Sequence, residues 1–323
     1  RGDDLLVGRP PESSAMPRAY EVDFADVVGQ ESAKRALEVA AAGSHNLVLI
    51  GPPGAGKTML ARRLPTILPD LSEEEALEVI AIHSVAGVLS EDITLGARPF
   101  RAPHHSISGA GLIGGGSSPR PGEVSLAHNG VLFLDEMLEF PRGVLDGLRQ
   151  PLEDATVVIA RAAMSVTFPA RFTLVGATNP CPCGRAGEPG RKCSCGPAEV
   201  AKYAARMSGP LTDRIDMHVP VGAVALRDLS AASPPGDGSS SMRERVGQAR
   251  CLQRQRYRVL RGVTCNAHVP GRWLDRHTPI ENDARTLLHS AASALELSAR
   301  AYHRVLKVAR TIADLSADER IEA

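Results

Sequence analysis

Three features are scarce in this 323-residue chain, and each scarcity excludes a class of function. Aromatic residues make up only 3%, so extended platforms for base stacking are not expected. The 37 basic and 37 acidic residues cancel, so no global field attracts the protein to nucleic acid or to a membrane surface. No apolar run approaches the roughly 20 residues of a membrane helix. We therefore expect no membrane partner, and any DNA binding must come from local groups.

Composition divides the chain into four parts. Residues 1–22 are polar and contain prolines, which is typical of a linker or tail. A mixed α/β pattern over residues 23–220 predicts an ATPase core. Residues 221–241, rich in Ser, Pro and Gly, predict a flexible joint, and residues 242–323 predict a helical lid domain. The chain starts without an initiator Met or a signal-peptide pattern, so we expect a fragment of a longer protein.

Eight consecutive residues match the phosphate-binding loop pattern: Gly51, Pro52, Pro53, Gly54, Ala55, Gly56, Lys57 and Thr58. The apolar run before them predicts a buried parallel strand, and the run after them predicts a helix. Glycines let backbone N–H groups surround a phosphate, and the helix N-terminus adds partial positive charge. Lys57 would reach the terminal phosphates, and Thr58 would hold Mg²⁺. A Gly-Pro surface turn is the alternative, but strand, motif and helix together predict an ATP site in a cytoplasmic enzyme.

Two further strand ends supply polar groups for the same site. The apolar run 130–134 ends at Asp135 and Glu136, which predicts a water-mediated Mg²⁺ ligand and a general base, respectively. The apolar run 172–178 ends at Asn179, whose amide could orient the attacking water or touch the terminal phosphate. The alternatives are a solvated acidic turn and an Asn-Pro turn.

Arg214 and Arg300 are candidates to neutralise charge on a transferring phosphoryl group, from their own chain or from a neighbour. Arg214 ends a short helical stretch, and Arg300 opens a helix of the predicted lid. Taken alone, each is more typical of an ordinary surface arginine.

The order of the phosphate loop, Asp135–Glu136, Asn179, Arg214 and Arg300 resembles the AAA+ ATPases of the magnesium-chelatase type. Three longer stretches resemble the ComM/YifB branch of that family: residues 98–106, 176–184 and 300–315. The resemblance covers about residues 20–318.

The resemblance implies an α/β fold: a parallel-sheet core flanked by helices, a helical lid and a homohexameric ring. It also implies that Arg214 is a finger reaching the neighbouring subunit's site and that Arg300 is a lid-borne sensor. The family carries an N-terminal domain similar to the Lon protease fold, which we expect to lie outside this fragment. ComM is similar to helicases that drive branch migration during natural transformation, so the implied partner is branched or single-stranded DNA.

Two rival functions stay open. A chelatase-type motor would remodel a protein partner to insert a metal into a tetrapyrrole, using the same core chemistry. A nucleotide-dependent binding module would have no motor function, but the intact Glu136 and Arg214 argue against it.

Four cysteines form two closely spaced pairs in a segment rich in Gly, Pro and charge: Cys181, Cys183, Cys193 and Cys195. The segment has no apolar residues for a core, so a zinc ion could hold it together. The CxC spacing is tighter than usual for zinc, and four reduced thiols are the alternative. Cys251 and Cys265 are isolated and interpreted as structural.

Candidate DNA contacts come from two segments that face the ring channel in the family. Arg120 follows the Gly-rich stretch 109–116, which we expect to be mobile, and Arg161 lies at a predicted hairpin turn. Both could contact phosphates without reading sequence. The arginines between residues 243 and 261 are more typical of a solvated helix face, and His104 and His105 are interpreted as structural.

Overall fold

Five strands pair side by side in one parallel sheet at the centre of the computed structural model. The structure describes residues 20–116, 119–161, 164–187, 190–207, 209–223 and 237–323. The strands are β1 Leu47–Ile50, β2 Phe100–Arg101, β5 Val131–Leu134, β8 Thr173–Thr178 and β9 Met217–Pro220. Their spatial order is β2-β5-β8-β1-β9. All four pairings are parallel, with Leu47 opposite both Val175 and Met217 in the centre. The predicted α/β fold with a parallel sheet is confirmed.

Helices cover both faces of this sheet, as apolar strands in a parallel sheet require. In the core these are α1 Glu31–Gly43, α2 Lys57–Ile67, α3 Glu73–Ala86, α4 Glu91–Thr94, α5 Gly109–Ile113, α6 Glu123–Leu126, α7 Arg142–Asp146, α8 Arg149–Asp154, α9 Pro197–Ala204 and α10 Gly209–Thr212. Helix α3 begins with a capping box: the Glu75 amide donates to Ser72 Oγ at 3.3 Å, and the Ser72 amide donates to the Glu75 carboxylate at 3.0 Å. None of these helices, nor any later one in the described ranges, is long and apolar enough to span a bilayer.

Two small antiparallel sheets lie beside the main one. The first pairs β3 Gly114–Gly115 with β4 Arg120–Pro121, and the second pairs β6 Thr156–Arg161 with β7 Met164–Pro169. They touch each other, because a Cβ on Gly114 would lie 2.8 Å from Ile159 Cδ1. Residues 109–115 of the Gly-rich stretch form α5 and β3, with Leu112 fully buried, and the mobility of the stretch stays a prediction. The burial of Leu112 gives this Gly-rich stretch an anchor that its composition does not reveal.

The C-terminal part is helical: α11 Ser239–Tyr257, α12 Gly271–His277, α13 Asn282–Ala294 and α14 Ala299–Leu315. Met242, Val246 and Ala249 of α11 join the apolar cluster of α1 and α2, whereas Tyr257 at its end packs in a separate C-terminal cluster. Helix α11 therefore bridges the core and the later helices. The predicted domain boundaries at residues 23, 221 and 242 stay predictions, because residues 1–19 and 224–236 lie outside the described part.

A buried histidine joins the core to α14. His45 is fully buried and lies 3.1 Å from the Asp216 carboxylate through Nδ1 and 2.8 Å from Thr311 Oγ1 through Nε2. Gly43 leaves room for this ring, because a Cβ there would lie 2.3 Å from it and 2.6 Å from Thr311 Oγ1. The packing of α14 against His45 thus explains why the last residue of α1, Gly43, has no side chain.

We predict that Gly43→Ala destabilises the protein by about 1–3 kcal/mol, because the added methyl group must displace a buried, hydrogen-bonded ring. The matched control is Gly247→Ala in the interior of α11, where nothing lies within 4 Å of the new Cβ. Alanine there should stabilise by about 0.5–1 kcal/mol through helix propensity. Denaturant unfolding of both variants is the measurement, and equal effects would contradict the packing argument.

Candidate functional site

The last six residues of the phosphate loop, Pro53 to Thr58, line one cavity of about 460 Å³, together with Asp135, Glu136 and Asn179. The loop follows β1, the two acids follow β5, and the asparagine follows β8. Because these strands are parallel neighbours, their carboxyl ends meet at one edge of the sheet. The structure thus brings together the loop, the acids and the amide that the sequence placed far apart.

Lys57 points into the loop. Its Nζ donates to the carbonyl oxygens of Gly51 at 2.6 Å and Pro52 at 2.9 Å, and to Asn179 Oδ1 at 3.2 Å. Burial lowers the Lys57 pKa, while the charges of Asp135 and Glu136 act in the opposite direction. An anionic phosphate would compensate a buried ammonium better than neutral carbonyl groups do.

Thr58 and Asp135 form a ready pair for a divalent cation. The Thr58 hydroxyl donates to Asp135 Oδ2 at 2.7 Å, and the Glu136 amide donates to Asp135 Oδ1 at 3.0 Å. Hydroxyl and carboxylate oxygens are the ligands that Mg²⁺ accepts. This donor set, beside the Lys57 ammonium and the first turn of α2, fits a triphosphate with its cation.

The glycines of the loop serve different purposes. Gly54 and Gly56 have positive φ values of 80° and 86°, and a Cβ on Gly54 would meet nothing within 4 Å. The open side of Gly54 leaves a phosphate free access to the backbone. A Cβ on Gly51 would instead lie 2.1 Å from the Val221 carbonyl oxygen, so Gly51 is required by the close approach of the chain after β9.

Glu136 occupies a strained backbone conformation and has a partner that the sequence did not reveal. Its φ of 49° and ψ of 45° are left-handed, which is uncommon for a residue other than glycine and often marks a functional position. His105 Nδ1 lies 3.3 Å from its carboxylate, and the His104 ring lies 4.0 Å from the His105 ring. Interpreting His105 as structural missed this contact; the available signal was its position just after β2, beside β5.

Arg214 and Arg300 lie elsewhere, in a second cavity of about 410 Å³. Both bind the carboxylate of Glu153, Arg300 at 3.2 Å. The hydrogen bond from Arg214 lowers the Glu153 pKa. Nothing in the sequence singled out Glu153, because its role depends on two arginines that are 61 and 147 residues away.

The second cavity carries an excess of positive charge. Arg171, Arg304 and Lys307 line it with the two arginines, against Glu153, Asp213 and Asp216. His268, half-buried at its wall, has its pKa lowered to about 3, first by desolvation and then by Arg171 and other cations. Within the described residues, the buried Nε atoms of Arg214 and Arg304 have no hydrogen-bond partner. The cavity therefore has unused capacity for an acidic group. We refer to it as the basic cavity.

The four clustered cysteines also meet. Their sulfur atoms all lie within 4.8 Å of one another, with Cys181 buried and the other three half-buried. Amides of Arg185 and Ser194 lower the Cys183 pKa to about 5. A backbone hydrogen bond from Cys183 acts to lower the Cys195 pKa. Desolvation and the thiols of Cys183 and Cys181 outweigh it and raise that pKa to about 12. The thiols alone cannot all ionise at neutral pH, whereas a bound cation would allow it.

The DNA candidates are only partly described. Arg120 is exposed in β4, opposite Gly115. Arg161 ends β6 and pairs through its backbone with Met164, and its side chain lies outside the described part. Contact between the two small sheets puts both residues on neighbouring elements, and their DNA role stays a prediction.

Comparisons with known proteins agree with this architecture. The family model "Magnesium chelatase, subunit ChlI" matches residues 23–229, and its C-terminal counterpart matches residues 236–323. The chain is 46% identical to the uncharacterized protein YifB of Escherichia coli over 95% of its own length and 59% of that protein. It is 44% identical to the competence protein ComM of Haemophilus influenzae over 93% of its own length and 58% of that protein.

A more distant match is the magnesium-chelatase 38 kDa subunit of Rhodobacter capsulatus, at 29% identity over 53% of this chain and 54% of that protein. The chain spans about three fifths of the length of YifB and ComM. Family models that cover nearly all of the described residues, together with a phosphate loop on a parallel sheet and a helical C-terminal part, lead to one conclusion. This chain belongs to the magnesium-chelatase family of AAA+ proteins, in the branch of ComM and YifB.

Proposed function

We propose that this chain is an ATP-hydrolysing motor that acts on DNA as a homohexamer. One observation carries the proposal: the nucleotide cavity and the basic cavity lie at opposite edges of the same parallel sheet. Phe172, just before β8, lines the basic cavity, and Thr178, the last residue of β8, lines the nucleotide cavity. Six residues of strand separate them by about 20 Å. Arg214 and Arg300 therefore cannot reach the nucleotide bound by their own chain.

A ring of identical subunits would resolve this separation. When copies associate head to tail, the basic cavity of one faces the nucleotide cavity of the next, and repetition closes a ring. The two arginines would then exchange Glu153 for the phosphates of the neighbour's nucleotide. Members of this family typically oligomerise, and the hexamer is the form that the resemblance implies.

We infer a role for each residue of the nucleotide cavity from its chemistry and position. Bound ATP with Mg²⁺ supplies the phosphoryl group and a cation that neutralises it, with Thr58 and Asp135 as the cation's ligands. Lys57 turns from the loop carbonyls to the phosphates. His105 holds the Glu136 carboxylate in orientation, and Glu136 accepts a proton from the attacking water. Asn179 positions that water. Arg214 and Arg300 of the neighbour neutralise the charge that grows on the phosphoryl oxygens.

DNA is the proposed substrate because the chain is similar to a competence protein. Branch migration of recombination intermediates is the specific activity that we propose from this kinship. We propose that the protein acts in the cytoplasm. The distant similarity to a magnesium-chelatase subunit supports the second candidate, a motor that remodels a protein partner for metal insertion into a tetrapyrrole. ATPase rates with single-stranded, duplex and branched DNA, measured alongside oligomeric state, separate the two. DNA stimulation of an assembled ring is expected, and an ATPase indifferent to all three DNA forms would favour the second candidate.

The first prediction tests hydrolysis. Glu136→Gln should keep ATP binding and lower the turnover number about 10²- to 10⁴-fold, because the group that activates water is lost while the phosphate contacts remain. Lys57→Ala should weaken ATP binding itself. Nucleotide affinity and steady-state ATPase rate are the two measurements. Near-normal turnover by the Glu136 variant would remove Glu136 from the mechanism.

The second prediction tests the shared site. Arg214→Ala and Arg300→Ala should each abolish most ATPase activity while leaving the ATP affinity of the isolated subunit unchanged. Mixing Arg214→Ala with Glu136→Gln subunits should restore activity, because some interfaces then join an intact Glu136 to an intact Arg214 of the neighbour.

The control for these variants is Arg285→Ala, at an exposed position of α13 away from both cavities. It should behave like the unmodified chain. Mixed rings that form, as mass spectrometry can show, and yet stay inactive would contradict the shared site.

The third prediction tests the DNA contacts. Arg120→Ala and Arg161→Ala should each weaken DNA binding equally across sequences and reduce the salt dependence by about one phosphate contact per site, with ATP affinity preserved. Affinity measured at several salt concentrations, with an ATP analogue present, is the test. Unchanged affinity in the double variant would place the DNA path elsewhere, with the arginines of α11 as the next candidates.

A further inference from the structure

The four-cysteine loop lies directly beneath the nucleotide site. Cys181 follows Asn179 by two residues, at the end of β8. The loop then turns at Gly184, whose amide donates to the Cys181 carbonyl oxygen at 2.9 Å. A Cβ on Gly184 would lie 2.5 Å from Cδ of Pro53 in the phosphate loop and 3.8 Å from Cγ of Asn179. The cysteine loop thus packs without a gap against two parts of the nucleotide site.

The loop has nothing apolar to hold this position. Of its described residues, 182–187 and 190–196, none contributes a side chain to the buried apolar core, and most are exposed. Among the described residues of the loop, Cys181 and Gly184 are buried, and the Cys181 sulfur accepts a hydrogen bond from the Ala186 amide at 3.3 Å. A segment of this composition does not offset its own conformational entropy. Another interaction must fix it.

The sulfur positions suit a single tetrahedral ion. Three of the sulfur–sulfur distances are 3.4, 3.5 and 3.7 Å, between Cys181, Cys183 and Cys193. Four sulfurs about 2.3 Å from one zinc ion would lie about 3.8 Å apart. No disulfide bond joins any of the four thiols. Their sulfur atoms lie at most 4.8 Å from one another, which leaves space for one ion.

We propose that these four thiolates bind one Zn²⁺ and that this ion holds the loop against Pro53 and Asn179, so that metal binding and ATP binding strengthen each other. The ion has a structural role and does not touch the nucleotide. This coupling rests on the proposed nucleotide site, whereas the metal site itself does not.

Zinc content is the first test. The full chain, purified under reducing conditions without chelator, should contain about one equivalent of zinc, with X-ray absorption showing sulfur ligands near 2.3 Å. Cys193→Ser should lose most of the zinc. Cys251→Ser, an exposed cysteine outside the cluster, should keep it. Less than about a tenth of an equivalent, or iron in place of zinc, would overturn the metal assignment.

Nucleotide affinity is the second test, read by equilibrium binding of a fluorescent ATP analogue rather than by turnover. Cys193→Ser should bind the analogue about 10-fold more weakly than the unmodified chain and Cys251→Ser. Linkage is reciprocal, so the analogue should raise the zinc affinity by the same factor, as measured by competition with a chelator.

Gly184→Ala keeps the test decisive if Cys193→Ser fails to fold. It leaves every thiol in place but pushes the loop from Pro53, so it should keep zinc and lose analogue affinity. A wild-type chain that contains no zinc as purified and yet binds the analogue would overturn this inference alone, whereas a zinc-loaded wild-type chain that binds no analogue would overturn the proposed function. Zinc loss without any change in analogue affinity would overturn the coupling.

Discussion

In a sheet whose strands all run in one direction, every carboxyl end lies at one edge and every amino end at the other. This constraint governs the arrangement of the whole molecule. The phosphate loop, Asp135 and Asn179 follow three parallel strands and so converge at one edge. Arg214 precedes β9, so it lies at the opposite edge. No side-chain movement can bring the two edges of one sheet together, and a catalytic site that needs both must use two chains.

The position of α14 follows from the same geometry. His45 and Asp216 lie just before β1 and β9, and His45 contacts Thr311 of α14. Docking there carries Arg300 and Arg304 to the amino edge, where Glu153 accepts hydrogen bonds from Arg214 and Arg300. The Glu153 carboxylate lies between two guanidinium groups, which bind carboxylates and phosphates alike through paired hydrogen bonds to their oxygen atoms. In the single chain this pairing prevents two like charges from repelling each other.

Several glycines of the nucleotide site are explained by contacts with other parts of the chain rather than by the phosphate. Gly51 accommodates the carbonyl group of Val221, and Gly184 accommodates Pro53. The phosphate loop is therefore supported from two sides, by the chain after β9 and by the cysteine loop. This support helps to hold the shape of the loop, since its three glycines restrict the backbone little by themselves.

The sequence by itself determined the α/β fold and the candidate nucleotide site: the phosphate loop, the acids after β5 and Asn179 follow from local patterns of a few residues each, and they line one cavity. The four cysteines could also be identified, because they lie within fifteen residues of one another. Only the tertiary structure decided that Arg214 and Arg300 meet at Glu153, that His105 lies beside Glu136, and that Leu112 of the Gly-rich stretch is buried. Those contacts join residues that are distant in sequence, and their partners are chosen by strand order and helix docking, which leave no local pattern in the chain.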